Sequence, residues 1–145
     1  MRLGMLRKTL LFLAGILALA LLIVGSQYIA SESGEVVVLQ TRDEAGGVHQ
    51  TRLWVVDHEG SPWLRAGNPS GGWFPRLSAR PDVVLVRGSE ALAFQAMPTP
   101  EARDTINDLM HEKYGWADSY ISFFFPRAKK IPVRLLPATP RSSDR

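Results

Sequence analysis

An uncharged apolar run near the N-terminus constrains this chain more than any other feature. Residues 9–25 read TLLFLAGILALALLIVG and contain no charged side chain. Roughly 20 apolar residues cross the hydrocarbon core of a bilayer, and the segment must be helical because lipid offers the backbone no hydrogen-bond partner. We therefore expect a transmembrane anchor at residues 9–29, in contact with the bilayer, after a basic flank at residues 1–8.

A cleaved signal peptide is the alternative to a retained anchor, since it also has basic residues followed by an apolar stretch. Cleavage requires small residues at positions −3 and −1. A cut after Ala30 would place Tyr28 at position −3, and no better pair of small residues follows the apolar run. The sequence therefore favours an uncleaved signal anchor.

The charges that flank the apolar run predict its orientation. Basic side chains precede it within residues 1–8, whereas residues 31–41 carry the acidic Glu32 and Glu35 and no basic side chain. Basic residues beside a span tend to stay on the cytoplasmic side. We therefore expect a cytoplasmic N-terminus and a domain on the periplasmic or extracytoplasmic side.

The flank also accounts for the formal net charge of +3, because the rest of the chain has equal numbers of acidic and basic side chains. The soluble part thus lacks the basic bias typical of nucleic-acid binding, and we expect no nucleic-acid partner. The absence of cysteine excludes disulfides and a thiolate metal site. Because His49, His58 and His111 are scattered, no metal site is predicted.

Short apolar stretches bounded by turn residues predict a domain at residues 30–137. Strands are predicted at residues 35–42, 48–57, 62–66, 83–87, 90–96 and 132–137. Helices are predicted at residues 73–79 and 99–114, the second with Thr99 as a hydroxyl cap and Pro100 in its first turn. About six strands with one or two helices indicate a mainly β, α+β domain built as a partly open barrel. Residues 138–145 are predicted to be a disordered polar tail.

Two segments near the C-terminus have alternative interpretations. The aromatic residues 121–125 are expected in the core, with contacts to another protein of a membrane complex as the alternative. A basic group is expected at a solvated edge, with a patch for lipid head groups or an anionic ligand as the alternative. This group comprises Arg127, Lys129, Lys130 and Arg134.

Four segments, in this order, resemble the deazaflavin-dependent nitroreductase family. They are residues 51–56 (TRLWVV), 64–69 (LRAGNP), 72–74 (GWF) and 79–83 (ARPDV). That family has the split β-barrel of FMN-binding proteins related to pyridoxamine-phosphate oxidase, and the similarity extends over about residues 36–137. The resemblance implies a split barrel after the anchor, and it leaves a homodimer open.

The resemblance also implies a function and a site. The chain would be a membrane-anchored oxidoreductase that uses a deazaflavin coenzyme or FMN to reduce a quinone-like or nitro substrate by hydride transfer. The residues implied to bind the cofactor are Thr51, Arg52, Leu53, Ala66, Gly67, Asn68, Trp73 and Phe74. Tyr114 and Tyr120 are implied to be substrate-side hydroxyls. No catalytic acid or base is predicted.

A module that binds a ligand or a partner without turnover is the alternative to an enzyme. The turn after the first strand carries Asp43 and Glu44, whereas the corresponding turn of the family is basic. Exposed carboxylates repel a phosphate by a modest amount. This turn therefore favours the non-catalytic alternative.

Overall fold

A single long helix precedes the domain. The computed structural model describes residues 2–31 and 34–138. The helix α1 (Arg2–Ser31) contains an apolar segment, Gly4–Ser26, that is long enough to cross a membrane, and none of it is buried against the domain. By length and composition this is the one such helix among the described residues. The predicted tail lies outside the described residues, except for Ala138.

Seven strands form one curled antiparallel sheet after this helix. They are β1 (Val36–Arg42), β2 (Val48–Trp54), β3 (Val56–His58), β4 (Ser61–Ala66), β5 (Asp82–Arg87), β6 (Glu90–Pro98) and β7 (Ile131–Pro137). Their spatial order is β2-β1-β5-β6-β7-β4-β3, and every pairing is antiparallel. Side chains of β1 alternate between buried and half-buried positions, as expected for a strand with one face on a core.

The predicted strand at residues 48–57 is wrong in one respect, because it divides at Val55 into β2 and β3. The Val55 amide donates to the Tyr114 hydroxyl at 3.0 Å, and the Val55 carbonyl accepts from Lys113 Nζ at 2.7 Å. Side chains of a helix thus satisfy backbone groups that a continuous strand would give to a neighbour. The corner joins the two edges of the sheet and brings the end of β2 beside β4.

Two apolar clusters hold the domain together. The larger lies within the curl of the sheet and includes Trp73 and Leu77 of the short helix α2 (Trp73–Ala79). The smaller packs Trp63 against Ile106 and other residues of the helix α3 (Arg103–Tyr114). The prediction for α2 is confirmed, and the second predicted helix begins with a turn of 3₁₀ helix at Pro100–Ala102.

The predicted cap at Thr99 is wrong. Its hydroxyl donates to the Met97 carbonyl at 3.0 Å and makes no bond to a helix amide. The helix α3 ends at Gly115 as predicted, where a φ of 55° suits a glycine. A further helix, α4 (Trp116–Phe124), follows directly and was not predicted.

Two expectations about the C-terminal region are wrong. Residues 121–125 are not core, because Phe123 is 84% exposed and Phe124 and Phe125 are also exposed. The basic group does not lie as a whole at a solvated edge, because Lys130 is buried. Charged groups are rarely buried without partners, so this lysine is expected to have polar partners close by.

Candidate functional site

A cleft of about 170 Å³ lies where the end of β2 meets β4, α3 and α4. It is lined by Arg52, Leu53, Trp54, Arg65, Gly67, Met110, Ile121 and Lys130. The corner at Val55 brings these elements together, since it turns the chain from β2 toward the opposite edge of the sheet. The lining combines apolar walls with three cations and no carboxylate.

A buried ion pair supports the floor of the cleft. Arg65 of β4 donates to the carboxylate of Asp118 on α4 and, at 3.1 Å, to Asn107 Oδ1 on α3. The side chains of Arg65 and Asp118 are 6% and 1% exposed. Because both charges are desolvated, removal of either partner would leave the other uncompensated. The pair therefore fixes α4 against the sheet.

Two further cations approach the same carboxylate and complete a charge cluster, which we define as Arg65, Asp118, Arg127 and Lys130. Lys130 Nζ donates to Ser122 Oγ at 2.8 Å and lies 3.9 Å from Asp118 Oδ1. An Arg127 nitrogen lies 3.8 Å from Asp118 Oδ2, which makes no hydrogen bond in the described part of the chain. One carboxylate thus faces three cations, of which Arg127 also lies 3.8 Å from Asp108, and the remaining positive charge favours an anionic ligand.

Burial lowers the pKa of two members of this charge cluster, Lys130 and Arg65. Desolvation, with a contribution from the neighbouring Arg65, lowers the pKa of Lys130 to about 8. Desolvation also lowers the pKa of Arg65, while its hydrogen bond to Asp118 acts in the opposite direction. An anion in the cleft would stabilise the protonated lysine. Anion binding and protonation of Lys130 are therefore coupled.

The structure brings together three of the residues implied to bind a cofactor. Arg52, Leu53 and Gly67 all line the cleft. Thr51 lies on β2 directly before Arg52, and it pairs with Leu39 of β1.

The other implied residues lie apart from the cleft lining. Ala66 is buried in the larger cluster, and Asn68 is exposed, where its side-chain oxygen accepts from the Ser70 amide at 3.1 Å. Trp73 is in the larger cluster, and Phe74 packs against that cluster with the two rings edge to face. The aromatic wall of the cleft is supplied instead by Trp54.

The two implied substrate-side tyrosines have structural partners. The buried Tyr114 hydroxyl lies 2.7 Å from the Glu35 carbonyl and 2.9 Å from the Val55 carbonyl, and burial raises its pKa to about 12. The Tyr114 ring stacks on Trp54 with centroids 4.3 Å apart. The Tyr120 hydroxyl lies 2.9 Å from that of Ser26 in α1. Neither residue is among those that line the cleft.

The acidic turn lies at the far end of β2 from the cleft. Arg42 pairs with Val48 beside the turn, whereas Val36 pairs with Trp54 beside the cleft. The Asp43 carboxylate accepts from the Gly47 amide at 2.7 Å, and a hydrogen bond with His49 contributes most to lowering its pKa. The turn is therefore stabilised by its own carboxylate, which does not face an anion in the cleft.

Sequence reasoning missed several members of the site. Arg65 belongs to the segment that carries the resemblance, yet only its pairing with Asp118 across the fold gives it a role. Lys130 is expected at a solvated edge with the other bases, and Trp54 is not among the residues implied to bind the cofactor. Met110 and Ile121 line the cleft only because α3 and α4 pack over the sheet. No local pattern in the sequence indicates that Lys130 is buried.

Comparison with known proteins shows the fold. No family model matches the chain, and no curated protein matches it. Among solved structures, an F420-H2 dependent reductase superposes with a TM-score of 0.56 at 21% identity, over 69% of this chain and 93% of that one. A FAD-binding protein from Mesorhizobium loti superposes with a TM-score of 0.53 at 11% identity, over 77% and 86%.

A third neighbour is HutZ, the heme storage protein from Vibrio cholerae. It superposes with a TM-score of 0.56 at 14% identity, over 76% of this chain and 86% of that one. These likenesses confirm the expected fold class, an α+β split barrel, and the structure has the apolar helix before it. At such identities they establish the fold alone.

Proposed function

We propose that this chain is a membrane-anchored reductase that holds a deazaflavin coenzyme or FMN in the cleft and reduces a quinone-like substrate. The observation that carries the proposal is the meeting of Arg52, Leu53 and Gly67 in one cleft with the buried cations of Arg65 and Lys130. Neighbours of the same fold are described as an F420-H2 dependent reductase and a FAD-binding protein, which supports a cofactor of this class.

The residues of the cleft fit such a cofactor in chemistry. Both cofactors join a planar three-ring system to an anionic phosphate. Arg52, Arg65 and Lys130 would hold the anionic part, and Leu53 and Trp54 would contact the ring. When bound, the cofactor would supply the hydride, while the protein would supply its position and the surrounding charge.

The anchor bears on the substrate. The apolar helix α1 would keep the cleft near a bilayer, where a quinone-like molecule is concentrated. The flanking charges favour a domain outside the cytoplasm. Because the chain has no native cysteine, single variants R7C and K129C can be treated with an impermeant maleimide on intact cells. We expect labelling at position 129 alone. Labelling at position 7 alone would show that the chain has the opposite orientation.

A binding module without turnover is the second candidate, and the size of the cleft favours it. A cavity of about 150 Å³ accommodates a single benzene ring. The cleft, at about 170 Å³, would therefore enclose only part of a three-ring system. HutZ, described as a heme storage protein, has the same fold and supports a role in holding a ligand.

Titration of the purified full chain tests the proposal. The chain in detergent is titrated with FMN and with the deazaflavin coenzyme, and tryptophan emission is followed with the visible absorption of the ligand. We expect saturable binding of one of the two. Binding of neither would remove the reductase proposal, and binding without turnover would favour the second candidate.

A pair of arginine variants makes the titration specific. Arg52→Gln should weaken binding by about tenfold, the loss expected for one charge-assisted hydrogen bond. Arg42→Gln is the matched control, because Arg42 lies on the neighbouring strand and donates to the Gly46 carbonyl beside the distant turn. Equal losses in both variants would show that binding does not use the cleft.

A further inference from the structure

We propose that α4 lies on the surface of the bilayer and contacts it through an aromatic stripe formed by Trp116, Tyr120, Phe123 and Phe124. This inference rests on the membrane anchoring proposed above and is independent of any cofactor. The partner is the lipid interface beside the anchor. It is chosen because Tyr120 contacts the apolar helix while Trp116, Phe123 and Phe124 are exposed.

The stripe occupies one face of α4. Its members are spaced i, i+4, i+7 and i+8, which places them side by side on a helix. Tyr120 and Phe124 have ring centroids 5.6 Å apart, and Phe123 and Phe124 have theirs 5.3 Å apart. Trp116 is 60% exposed and Phe123 is 84% exposed. An apolar face this continuous is unusual on a surface that meets only water.

The opposite face of α4 is fixed to the domain. Asp118, which is 1% exposed, belongs to the charge cluster on that face. Rotation of α4 that hid the stripe would expose this ion pair and break the hydrogen bond between Lys130 and Ser122. The aromatic face is therefore held outward by buried charges on the other side.

The anchor sets the depth of the stripe. Tyr120 contacts Ser26, and Ser26 is the last residue of the apolar segment Gly4–Ser26. The end of a spanning segment lies where hydrocarbon gives way to head groups. Tryptophan and tyrosine are enriched at that level because their rings are apolar and their polar atoms reach water. The contact therefore places the stripe at interface depth.

The residues after α4 suit the same surface. Phe125 is also exposed, and the exposed Lys129 follows it. Basic side chains beside a buried apolar face attract anionic lipid head groups. The combination is typical of a helix that lies in the interface and does not cross it.

This placement brings the cleft to the membrane. Ile121 of α4 lines the cleft, and a Cβ at the cleft residue Gly67 would lie 3.9 Å from the Phe125 side chain. One side of the helix thus forms a wall of the site while the other side faces lipid. A substrate dissolved in the bilayer would have a short path to the cleft, which extends the proposed function.

Single-cysteine labelling of the full chain tests the inference. Variants F123C and L92C are labelled with an environment-sensitive fluorophore and reconstituted into nanodiscs that hold one chain each, with a lipid-borne quencher near the head groups. Leu92 is an exposed apolar residue of β6 and provides the matched control. We expect the F123C label to be quenched at least about threefold more than the L92C label, as interfacial burial requires. Equal quenching would overturn the inference.

Two further readouts separate the causes of failure. Co-flotation with liposomes reports anchoring: a chain that does not float overturns anchoring and the inference together, and a chain that floats with an unquenched F123C label overturns the inference alone. Quenching that appears only in discs with two chains would assign the stripe to a second copy and contradict the proposal. In the unlabelled chain, W116F introduced beside W54F should remove the emission that brominated lipids quench, because the two remaining tryptophans, Trp63 and Trp73, are buried.

Discussion

The hydroxyl of Tyr120 lies 2.9 Å from the hydroxyl of Ser26, and this contact joins the apolar helix α1 to the domain. Tyr120 lies on α4, whose other side carries the buried Asp118 and the cleft residue Ile121. The helix α1 is therefore connected to the wall of the site by a single short helix. Movement of α1 relative to the domain would act on that wall.

The contact between α1 and α4 can be measured with a double-mutant cycle. Tyr120→Phe and Ser26→Ala each remove the same hydrogen bond and leave most of the packing in place. We expect each to lower the free energy of unfolding in detergent by about 1 kcal/mol, and the double variant to lose little more than either. Simple additivity would show that the two hydroxyls do not interact.

Binding of an anionic ligand in the cleft should depend on pH through Lys130. Its pKa of about 8 means that the lysine loses its charge as the pH rises through 8. An anion favours the protonated form, so affinity should fall between pH 7 and pH 9. Lys130→Arg, which stays charged, should not show this fall in ligand titrations at each pH. An identical decline in that variant would assign the titration to another group.

Glu35 should make the domain sensitive to acid. Hydrogen bonds from Arg87, together with Lys113, lower its pKa from 4.5 to about 2. A depressed carboxyl pKa contributes stability that is complete above pH 4.5 and is lost as the pH falls toward 2.

The variant Glu35→Gln isolates this contribution. It should be less stable than the parent at pH 7 by about 1–2 kcal/mol, after allowance for solvent screening of the half-exposed pair. Denaturant unfolding at several pH values should show the difference shrinking toward pH 2. A difference that stays constant with pH would show that Glu35 acts through packing and not through its charge.

Two tryptophans should separate ligand binding from folding. Trp73 belongs to the larger core cluster, so Trp73→Ala should cost about 3–5 kcal/mol of stability. Trp54 lines the cleft and stacks on Tyr114, so Trp54→Ala should weaken ligand binding more than it destabilises the fold. Thermal unfolding and ligand titration on both variants provide the comparison. If Trp73→Ala instead weakened binding more than Trp54→Ala, the ligand would bind beside the loop before α2 and not in the cleft.

Much of the fold could be predicted because it is determined locally. Apolar stretches and turn residues predicted the strands, and Gly115 predicted the end of α3. The division at Val55 could not be predicted, since it depends on the Tyr114 hydroxyl, which is distant along the chain. The exposure of the phenylalanines within residues 121–125 could not be predicted either. It depends on the ion pair between Asp118 and Arg65, which holds the other face of α4 against the sheet.

The site was predictable only in part for the same reason. The resemblance pointed to Arg52, Leu53 and Gly67, which line the cleft. The burial of Lys130 depends on α4 packing over β4, and no local pattern indicates it. A charged residue is interpreted as exposed unless its partner is known. The partners of Lys130 are Ser122 and Asp118, which lie on the helix α4 that was not predicted.

The central claim is reduction of a membrane substrate at the cleft. Proteoliposomes that carry the full chain are loaded anaerobically with the reduced cofactor that binds, and a quinone is incorporated in the bilayer. Stopped-flow absorption then follows loss of the reduced cofactor. We expect faster oxidation than in protein-free liposomes, and about tenfold slower oxidation with Arg52→Gln than with Arg42→Gln. Cofactor that binds but is oxidised no faster than without protein would contradict the reductase.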